Sequence, residues 1–460
     1  MVGISDDRLE LLVVLRAKVC GPHFWWRFPA LLKGETLAAA VMIVSSVVLS
    51  AFAAITLWWT MHAWRTPETL AATRFAEPDG DHKLTFSLLL PARHEQAVLE
   101  HTVDRLLRST HQGYEIIIIV GHDDPDTAAV AERIALRAPG RILVITDHNE
   151  VKNKPRALNT ALPYVRGDVV GVFDAEDVVH PELLEHVDHA FRSTHADVVQ
   201  GGVQLINFQS SWFSLHNCLE YFFWFRSRLH LHANKGFIPL GGNTVFVRTD
   251  VLRGANGWDG TCLAEDCDLG VRLSSRGAKV VVAYEASLVT REETPDTIGS
   301  LVKQRTRWNQ GFLQVLRKGE WRRLPSMRQR VLARYTLVGP FLQAFSGVAI
   351  PVGVGVALAT SLPIGVALAT FVPVVPMLAN IVFQTIGLRD FGKQYHLSVT
   401  ARDYARLILG AFPYALILSV AALRAVWREY TGRRNWELTA HVGAHLQGNA
   451  TAETTTAGAA

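Results

Sequence analysis

Several functional signatures are absent from this sequence. Its four cysteines form no Cys-x-x-Cys pair, and Cys262 and Cys267 are too few ligands for a zinc site, so we expect reduced, unpaired thiols. No P-loop occurs, and the one glycine-rich stretch, near Gly353, lies inside an apolar run rather than between a strand and a helix. The net charge is only +4 and no basic stripe carries interleaved aromatic residues, which argues against nucleic-acid binding. The cysteines are Cys20, Cys218, Cys262 and Cys267.

Charge is also absent from long stretches of the chain. No Asp, Glu, Lys or Arg occurs at residues 36–64, 335–388 or 407–423. Because a membrane helix needs about 20 apolar residues, we predict one span at 36–64, two within 335–388 and a fourth at 405–426. A turn at 361–363 would separate the middle two. The alternative for the last run is a helix lying in the membrane interface.

The distribution of basic residues predicts the orientation of the central region. A basic cluster precedes the second predicted span, so the positive-inside rule places the central region in the cytoplasm, at the cell (inner) membrane. Four spans would put the C-terminus on the opposite side of the membrane. Four arginines follow the last span, however, and the positive-inside rule disfavours them on that side. We expect residues 1–35 to be a polar or interface segment and residues 447–460 to be disordered. The cluster is Arg317, Lys318, Arg322, Arg323, Arg328, Arg330 and Arg334, and the later arginines are Arg424, Arg428, Arg433 and Arg434.

The region between the apolar flanks alternates short β-rich runs with helical patterns. This alternation predicts a Rossmann-like α/β domain at residues 66–320, with a mostly parallel sheet and an interface helix at 298–316. Ligands of such sheets bind at the carboxyl ends of the strands. The predicted strands are 84–90, 115–120, 141–146 and 168–173, and the predicted helices between them are 95–108 and 127–137.

Three acids in four residues follow the fourth predicted strand, namely Asp174, Glu176 and Asp177. Carboxylates at a strand end repel one another unless a cation compensates, and Mg²⁺ or Mn²⁺ is bound by carboxylates together with substrate phosphates. Alternatively, Asp177 caps a helix that begins near Pro181 and the other acids are solvated.

A second acidic cluster, Glu265 and Asp266, precedes a helix predicted from Leu269. Acids favour helix N-termini because of the helix dipole, which is one explanation for the cluster. The other is catalytic, because a carboxylate within hydrogen-bond reach of a substrate hydroxyl acts as a general base.

A third pattern lies in the helix predicted near the second span. Gln304, Arg307 and Trp308 are three and four residues apart, so they share one helix face. Arginine binds phosphate oxygens in a bidentate manner, and an indole stacks on a sugar ring. Trp308 could instead be a membrane-belt anchor.

These three sites, in this order and between membrane spans, resemble the membrane branch of glycosyltransferase family 2, which includes cellulose, chitin, hyaluronan and poly-N-acetylglucosamine synthases. The resemblance covers roughly residues 84–320 and the flanking spans. It implies a GT-A fold, an inverting transfer, a nucleotide-sugar donor, Mg²⁺ or Mn²⁺ as cofactor, and a glycan or glycolipid acceptor at a lipid bilayer.

The resemblance also implies roles for individual residues. Asp174 and Glu176 match the D-x-D region that holds the metal and the donor diphosphate, and Asp266 matches the catalytic base. The Q-x-x-R-W motif holds diphosphate and acceptor, and K-x-x-A-L-N and P-x-x-N-E motifs contact the donor. The implied donor residues are Glu95, Asp123, Lys154, Asp174, Gln304 and Arg307, and the implied acceptor residues are Trp308, Glu265, Gly242 and Asn243.

The sequence departs from the family pattern at three positions. The family usually has an Asp pair directly after the second strand, but here the acids come about three residues later. This weakens the assignment of Asp123 to recognition of the nucleotide base. Glu176 stands where the second Asp of D-x-D is usual, and Ala264 stands where Thr is usual. Two other functions remain open. One is sugar transfer to a polyprenyl phosphate, which Q-x-x-R-W disfavours, and the other is a non-catalytic subunit, which the retained carboxylates disfavour.

Overall fold

The computed structural model describes residues 24–62, 75, 83–359 and 364–437. Contacts within the chain divide it into two units. One comprises Met1–Leu57 and Val348–Ala379, and the other comprises Trp58–Gly347 and Asn380–Ala460. The predicted turn at 361–363, the tail at 447–460 and most of the N-terminal segment lie outside the described residues.

The second unit contains a seven-stranded sheet in the order β3-β2-β1-β4-β7-β5-β8. Strand β7 is antiparallel to both of its neighbours and the other pairs are parallel. A separate parallel pair joins β6 to β9. The strands are β1 Phe86–Ala92, β2 Tyr114–Gly121, β3 Ile142–Asp147, β4 Val169–Val172, β5 Val198–Gly201, β6 Val203–Leu205, β7 Val245–Arg248, β8 Val280–Ala283 and β9 Thr290–Glu292.

Helices cover both faces of this sheet. Alternate residues of the central strands enter different cores, since Leu88 and Ile116 face one and Leu89 and Ile117 face the other. Strands buried on both faces explain the nearly continuous apolar runs. The helices of this unit up to the membrane region are α2 Leu99–Leu107, α3 Pro125–Ala135, α4 Lys154–Ala161, α5 Leu183–Thr194, α6 Trp212–Phe223, α7 Leu229–Asn234, α8 Thr249–Gly254, α9 Glu265–Ser275 and α10 Ile298–Lys318.

The remaining helices are long and apolar. They are α1 Phe24–His62, α11 Met327–Ala359, α12 Ile364–Thr370, α13 Val374–Gln394 and α14 Ala401–Tyr430. Four segments of the described chain are long and apolar enough to cross a membrane, namely Leu37–His62, Met327–Ala357, Ile364–Gln394 and Ala401–Tyr430.

The predicted strands and the observed strands agree within about two residues, but two helices begin elsewhere than predicted. Helix α2 begins at Leu99 rather than at residue 95, because a turn with His94 in the left-handed region (φ 59°) comes first. Helix α9 begins at Glu265 rather than at Leu269, so its acids occupy the first turn. Helix α10 begins after Thr297, whose hydroxyl accepts from the Ser300 amide, and it ends at left-handed Gly319.

Candidate active site

The connections of the sheet define where a ligand would bind. From β1 the chain proceeds to β2 and β3 on one side and returns to β4 on the other side. The carboxyl edge between β1 and β4 is therefore a topological switch point, the usual ligand site of such sheets. Glu95 follows β1 and Asp174 follows β4, so both lie at this edge as predicted.

The turn after β1 is fixed by an acid that follows β2. The amide of His94 donates to Asp124 Oδ2 (2.6 Å), and Asp124 also caps helix α3 through the Thr127 amide (3.3 Å). Burial opposes ionisation of Asp124, but these hydrogen bonds outweigh it and lower its pKa. Asp124 is thus structural, whereas the neighbouring Asp123 stays at the exposed rim, paired with Arg93 Nη2 at 2.9 Å.

The acidic cluster after β4 is internally bonded. Asp177 is fully buried, and its Oδ2 accepts from the Asp174 amide (2.8 Å). The side-chain amide of Asn243 donates to both oxygens of Asp177 (3.1 and 3.2 Å) and also to Glu292. The alternative that Asp177 caps the following helix is wrong, because α5 begins only at Leu183 after Glu182.

The carboxylates around Asp177 repel one another. Burial raises the pKa of Asp177 well above its usual range, and the charges of Glu292, Asp174 and Glu176 raise it further. Mutually repelling carboxylates at a strand end are a donor set that fits a hard divalent cation.

Lys154 joins this cluster to the loop before β7. Asn153 caps helix α4 through the Arg156 amide (3.0 Å), which places Lys154 at the first helical position. Its ammonium donates to Asp174 Oδ1 and to the Gly242 carbonyl (2.8 Å). Burial disfavours the charged ammonium, but Asp174 and Glu265 outweigh it and raise the pKa of Lys154.

The second acidic cluster approaches Lys154 beside Gly242. A Cβ on Gly242 would lie 3.4 Å from Asp266 Oδ2 and 3.9 Å from Lys154 Nζ. Burial and the charge of Asp266 raise the pKa of Glu265 to about 7, and burial also raises the pKa of Asp266. Lys154 and Arg307 act in the opposite direction on both acids. A partly buried carboxylate with a raised pKa is suited to accept a proton near neutrality.

Helix α10 brings the third pattern to the same place. The charge of Arg307 acts on both Glu265 and Asp266, and Gly311, one turn later, packs against Ala264 just before them. Gln304 Oε1 and Arg307 Nε are buried and have no hydrogen-bond partner within the described chain. Trp308 is half-buried, packing against the guanidinium of Arg305 (4.5 Å to the ring centroid) and lying 6.3 Å from the Tyr221 ring.

Three supporting residues were not found by sequence analysis. Gln200 is fully buried, accepts from the Gly241 amide (2.8 Å) and donates to the Asn243 carbonyl (3.1 Å), which fixes the loop around Gly242. Glu292, at the end of β9, shares Asn243 with Asp177. The Arg307 guanidinium lies 4.6 Å from the Trp436 ring centroid. Each is distant in sequence from the motif it supports, so no local pattern indicates it.

Another group of potential metal ligands lies elsewhere. Ligand atoms of His111, Glu185 and Asp188 lie within 4.8 Å of one another. However, Glu185 pairs with Lys83 (2.7 Å) and Asp188 with Arg192 (2.8 Å). Asp188 also accepts from the Leu84 amide, just before β1. This group therefore lies at the amino end of β1, away from the switch point, and its acids are already neutralised.

Known proteins are similar to this chain over about half of its length. The family model described as Glycosyltransferase like family 2 matches residues 82–311, which is half of the chain. A beta-monoglucosyldiacylglycerol synthase from Synechocystis is 28% identical over 49% of this chain and 47% of its own length. A poly-beta-1,6-N-acetyl-D-glucosamine synthase from Staphylococcus aureus is 26% identical over 50% of this chain and 55% of its own. The chain thus spans about half the length of the curated relatives it matches.

One solved structure is similar in fold over most of this chain. It is a mannosyltransferase from Pyrobaculum calidifontis, in complex with GDP-Man and Mn²⁺. The likeness has a TM-score of 0.52 at 15% identity and covers 85% of this chain and 99% of that one. The predicted GT-A-type α/β fold is confirmed.

Proposed function

This chain belongs to the Glycosyltransferase like family 2, and we propose that it is an inverting glycosyltransferase that moves a sugar from a nucleoside diphosphate to an acceptor hydroxyl. One observation carries the proposal. Lys154 bonds to Asp174 and to the Gly242 carbonyl, and a Cβ on Gly242 would lie 3.9 Å from Lys154 Nζ and 3.4 Å from Asp266 Oδ2. A group suited to the donor diphosphate and a group suited to the acceptor proton therefore meet around one glycine.

The donor would lie along the edge between β1 and β4. Glu95 and Asp123 would contact the nucleoside, and the buried, unsatisfied Arg307 Nε, with Gln304 beside it on the same helix face, suits the diphosphate. Asp174 and Glu176 would hold Mg²⁺ or Mn²⁺, which when bound offsets the negative charge on the diphosphate. Lys154 and Arg307 add positive potential to the same region.

The acceptor would approach from the side of helix α9. Asp266 would take the proton of the acceptor hydroxyl as that oxygen attacks the anomeric carbon, opposite the leaving nucleoside diphosphate. The displacement turns an α-linked donor into a β-linked product. Trp308 and Gly242 offer a stacking surface and a backbone wall, with Glu265 beside the base. Asn243 acts by positioning this loop, because its amide is used on Asp177 and Glu292.

The acceptor class follows from the relatives' names, which describe a glycolipid synthase and a polysaccharide synthase. Both imply an acceptor at a membrane, in keeping with the four apolar helices. The basic residues before α11 and in its first turns support a cytoplasmic catalytic domain at the cell (inner) membrane, where nucleotide-sugars are available.

The test is turnover by the full chain purified into lipid nanodiscs. Nucleoside diphosphate release is measured for UDP-glucose, UDP-N-acetylglucosamine and GDP-mannose, each with diacylglycerol or with short β-linked glycans. We expect one donor to be used with one acceptor class and a β-linked product by proton coupling constants. An α-linked product from an α-linked donor contradicts inversion. If none of the three donors is turned over, the proposed function is contradicted. If turnover occurs only when a polyprenyl phosphate is supplied as acceptor, transfer to a hydroxyl is contradicted.

A further inference from the structure

The last apolar helix, α14, has contacts that do not suit a membrane span. Its 30 residues have a mean hydropathy of 1.9 in the most apolar window, so length and composition alone allow a crossing. At about 1.5 Å per residue it is roughly 45 Å long. We propose that α14 lies flat between the catalytic domain and the membrane surface, with one face on the domain and the other in the lipid headgroup region.

Polar contacts fasten α14 to the catalytic domain along almost its whole length. Near its start, Gln209 Nε2 donates to Asp403 Oδ2 (3.2 Å). In its middle, the Tyr414 hydroxyl donates to Glu220 Oε2 (2.9 Å). These contacts recur from its first turn onward, whereas a helix that crossed a bilayer would leave the domain after one or two turns.

The contact at the middle of α14 belongs to a half-buried ion pair. The Arg305 guanidinium of α10 donates to Glu220 and to Asn217 Oδ1 (2.6 Å), both on α6. The hydroxyl of Tyr414 therefore completes a network that joins three helices. The ring of Tyr414 also stacks on His216 of α6, with centroids 4.8 Å apart.

Helix α10 runs beside α14 in the same direction. Leu301 packs with Tyr414, Thr306 donates to the Ala421 carbonyl (3.3 Å), and Arg317 pairs with Glu429 (2.7 Å). Five cationic residues occur along α10, and its central residues belong to the active site. Charged side chains are strongly disfavoured in hydrocarbon, so α10 lies outside it, and so does a helix that follows it side by side. The cationic residues are Lys303, Arg305, Arg307, Arg317 and Lys318.

The opposite face of α14 carries a stripe of exposed apolar side chains. They recur every three or four residues, as on one face of a helix. A helix with one apolar face and charged residues elsewhere is the pattern of a helix lying in the membrane interface. The occupant of the stripe is the bilayer, because α14 begins only a few residues after α13, one of the membrane-length helices. The stripe is Ile408, Leu409, Phe412, Leu416, Val420, Leu423, Trp427 and Tyr430.

This arrangement gives three crossings and resolves the conflict over charge. With α14 on the surface, the arginines that follow lie on the same side as the catalytic domain and its basic cluster, as the positive-inside rule requires. The segment after α14 does return to the domain, since Gln310 Nε2 donates to the Arg433 carbonyl (2.8 Å). Arg424 and Arg428 both pair with Glu437 (2.7 and 2.8 Å).

Depth measurements on spin-labelled protein test the proposal. Single cysteines replace Leu409, Leu416 or Leu423, which share the exposed face at heptad spacing, in a chain carrying Cys20→Ser. Accessibility to oxygen and to a polar nickel complex gives the depth of each label in nanodiscs. We expect one shallow depth for all three. A label at Val382, exposed in the middle of α13, is the deep reference. A Leu416 label as deep as Val382 overturns the proposal.

Sidedness provides an independent check that needs no activity. In vesicles of one orientation, a membrane-impermeant maleimide should label Thr431→Cys and Pro139→Cys from the same side. Both positions are exposed, and the proposal puts both on the side of the membrane that carries the catalytic domain. Labelling of the two from opposite sides shows that α14 crosses. Neither measurement depends on catalysis, so failure here leaves the proposed function standing.

Discussion

Two acidic clusters meet at Lys154, and their surroundings differ. After β4, the buried Asp177 lies among Asp174, Glu176 and Glu292, with one lysine nearby. At the start of α9, Glu265 and Asp266 have two cations within electrostatic reach, Lys154 and Arg307. In the first cluster, neighbouring carboxylates raise the pKa of Asp177, and a divalent cation would offset that repulsion. In the second, Lys154 and Arg307 act against the raised pKa values of two acids, one of which we propose as the base. The two clusters contain similar residues in different electrostatic surroundings.

Removing a carboxylate from the first cluster should have the largest effect. We expect Asp174→Asn to abolish detectable transfer, because it removes a metal ligand and a partner of Lys154 together. Calorimetry should show weaker binding of the nucleoside diphosphate in Mn²⁺, and the difference from the parent should vanish in chelator. Asp104→Asn is the matched control, since Asp104 lies in an exposed pair with Arg137 that contributes little. Full activity of the parent in excess chelator contradicts the metal role.

The base in the second cluster should be separable from donor binding. We expect Asp266→Asn to lower kcat by about 10²–10⁴-fold with donor affinity largely kept, because only a transition-state interaction is removed. Single-turnover kinetics with a saturating donor measure this. Asp268→Asn is the contrasting variant on the same turn. Asp268 is buried and bonds to Arg272 and Lys318 (both 2.7 Å), so its loss should lower Tm and leave kcat nearly unchanged. The reverse result would assign the base to Asp268.

The clusters themselves could be predicted from sequence, because each lies in one short motif next to a strand or helix end. The order of the parallel strands then brought the motifs together, as the switch-point rule requires. The residues that hold these motifs in position could not be predicted. Gln200 and Trp436 approach the site from other parts of the chain, and only folding makes them neighbours.

The apolar helices show the same division between local and non-local information. Composition identifies four helices of membrane length, since hydropathy is a local property. Whether α14 enters the bilayer depends on what lies beside it. Tyr414 lies inside the apolar run and Asp403 just before it, and both bond to the catalytic domain. Hydropathy does not distinguish a face that contacts protein from a face that contacts lipid.

The smallest expected effect concerns the interplay within the second cluster. The charge of Asp266 raises the pKa of Glu265, and because a charge–charge interaction is mutual, ionised Glu265 raises the pKa of Asp266. A base with a raised pKa is protonated, and therefore inactive, as the pH falls through that pKa. We therefore expect the parent enzyme to lose kcat/KM on the acid side of neutrality. In Glu265→Gln this acid limb should move to lower pH, because the neighbouring negative charge is gone.

The pH-independent value of kcat/KM above the acid limb, its plateau, distinguishes this interaction from direct catalysis by Glu265. If Glu265 only tunes its neighbour, the plateau of Glu265→Gln should stay within about tenfold of the parent, well above that of Asp266→Asn. The measurement is kcat/KM from pH 5 to 9 at fixed ionic strength, with Glu100→Gln as a control at an exposed ion pair. An acid limb that stays in place shows that the two carboxylates do not interact in the active enzyme. Loss of the plateau would instead make Glu265 the base, with Asp266 as its neighbour.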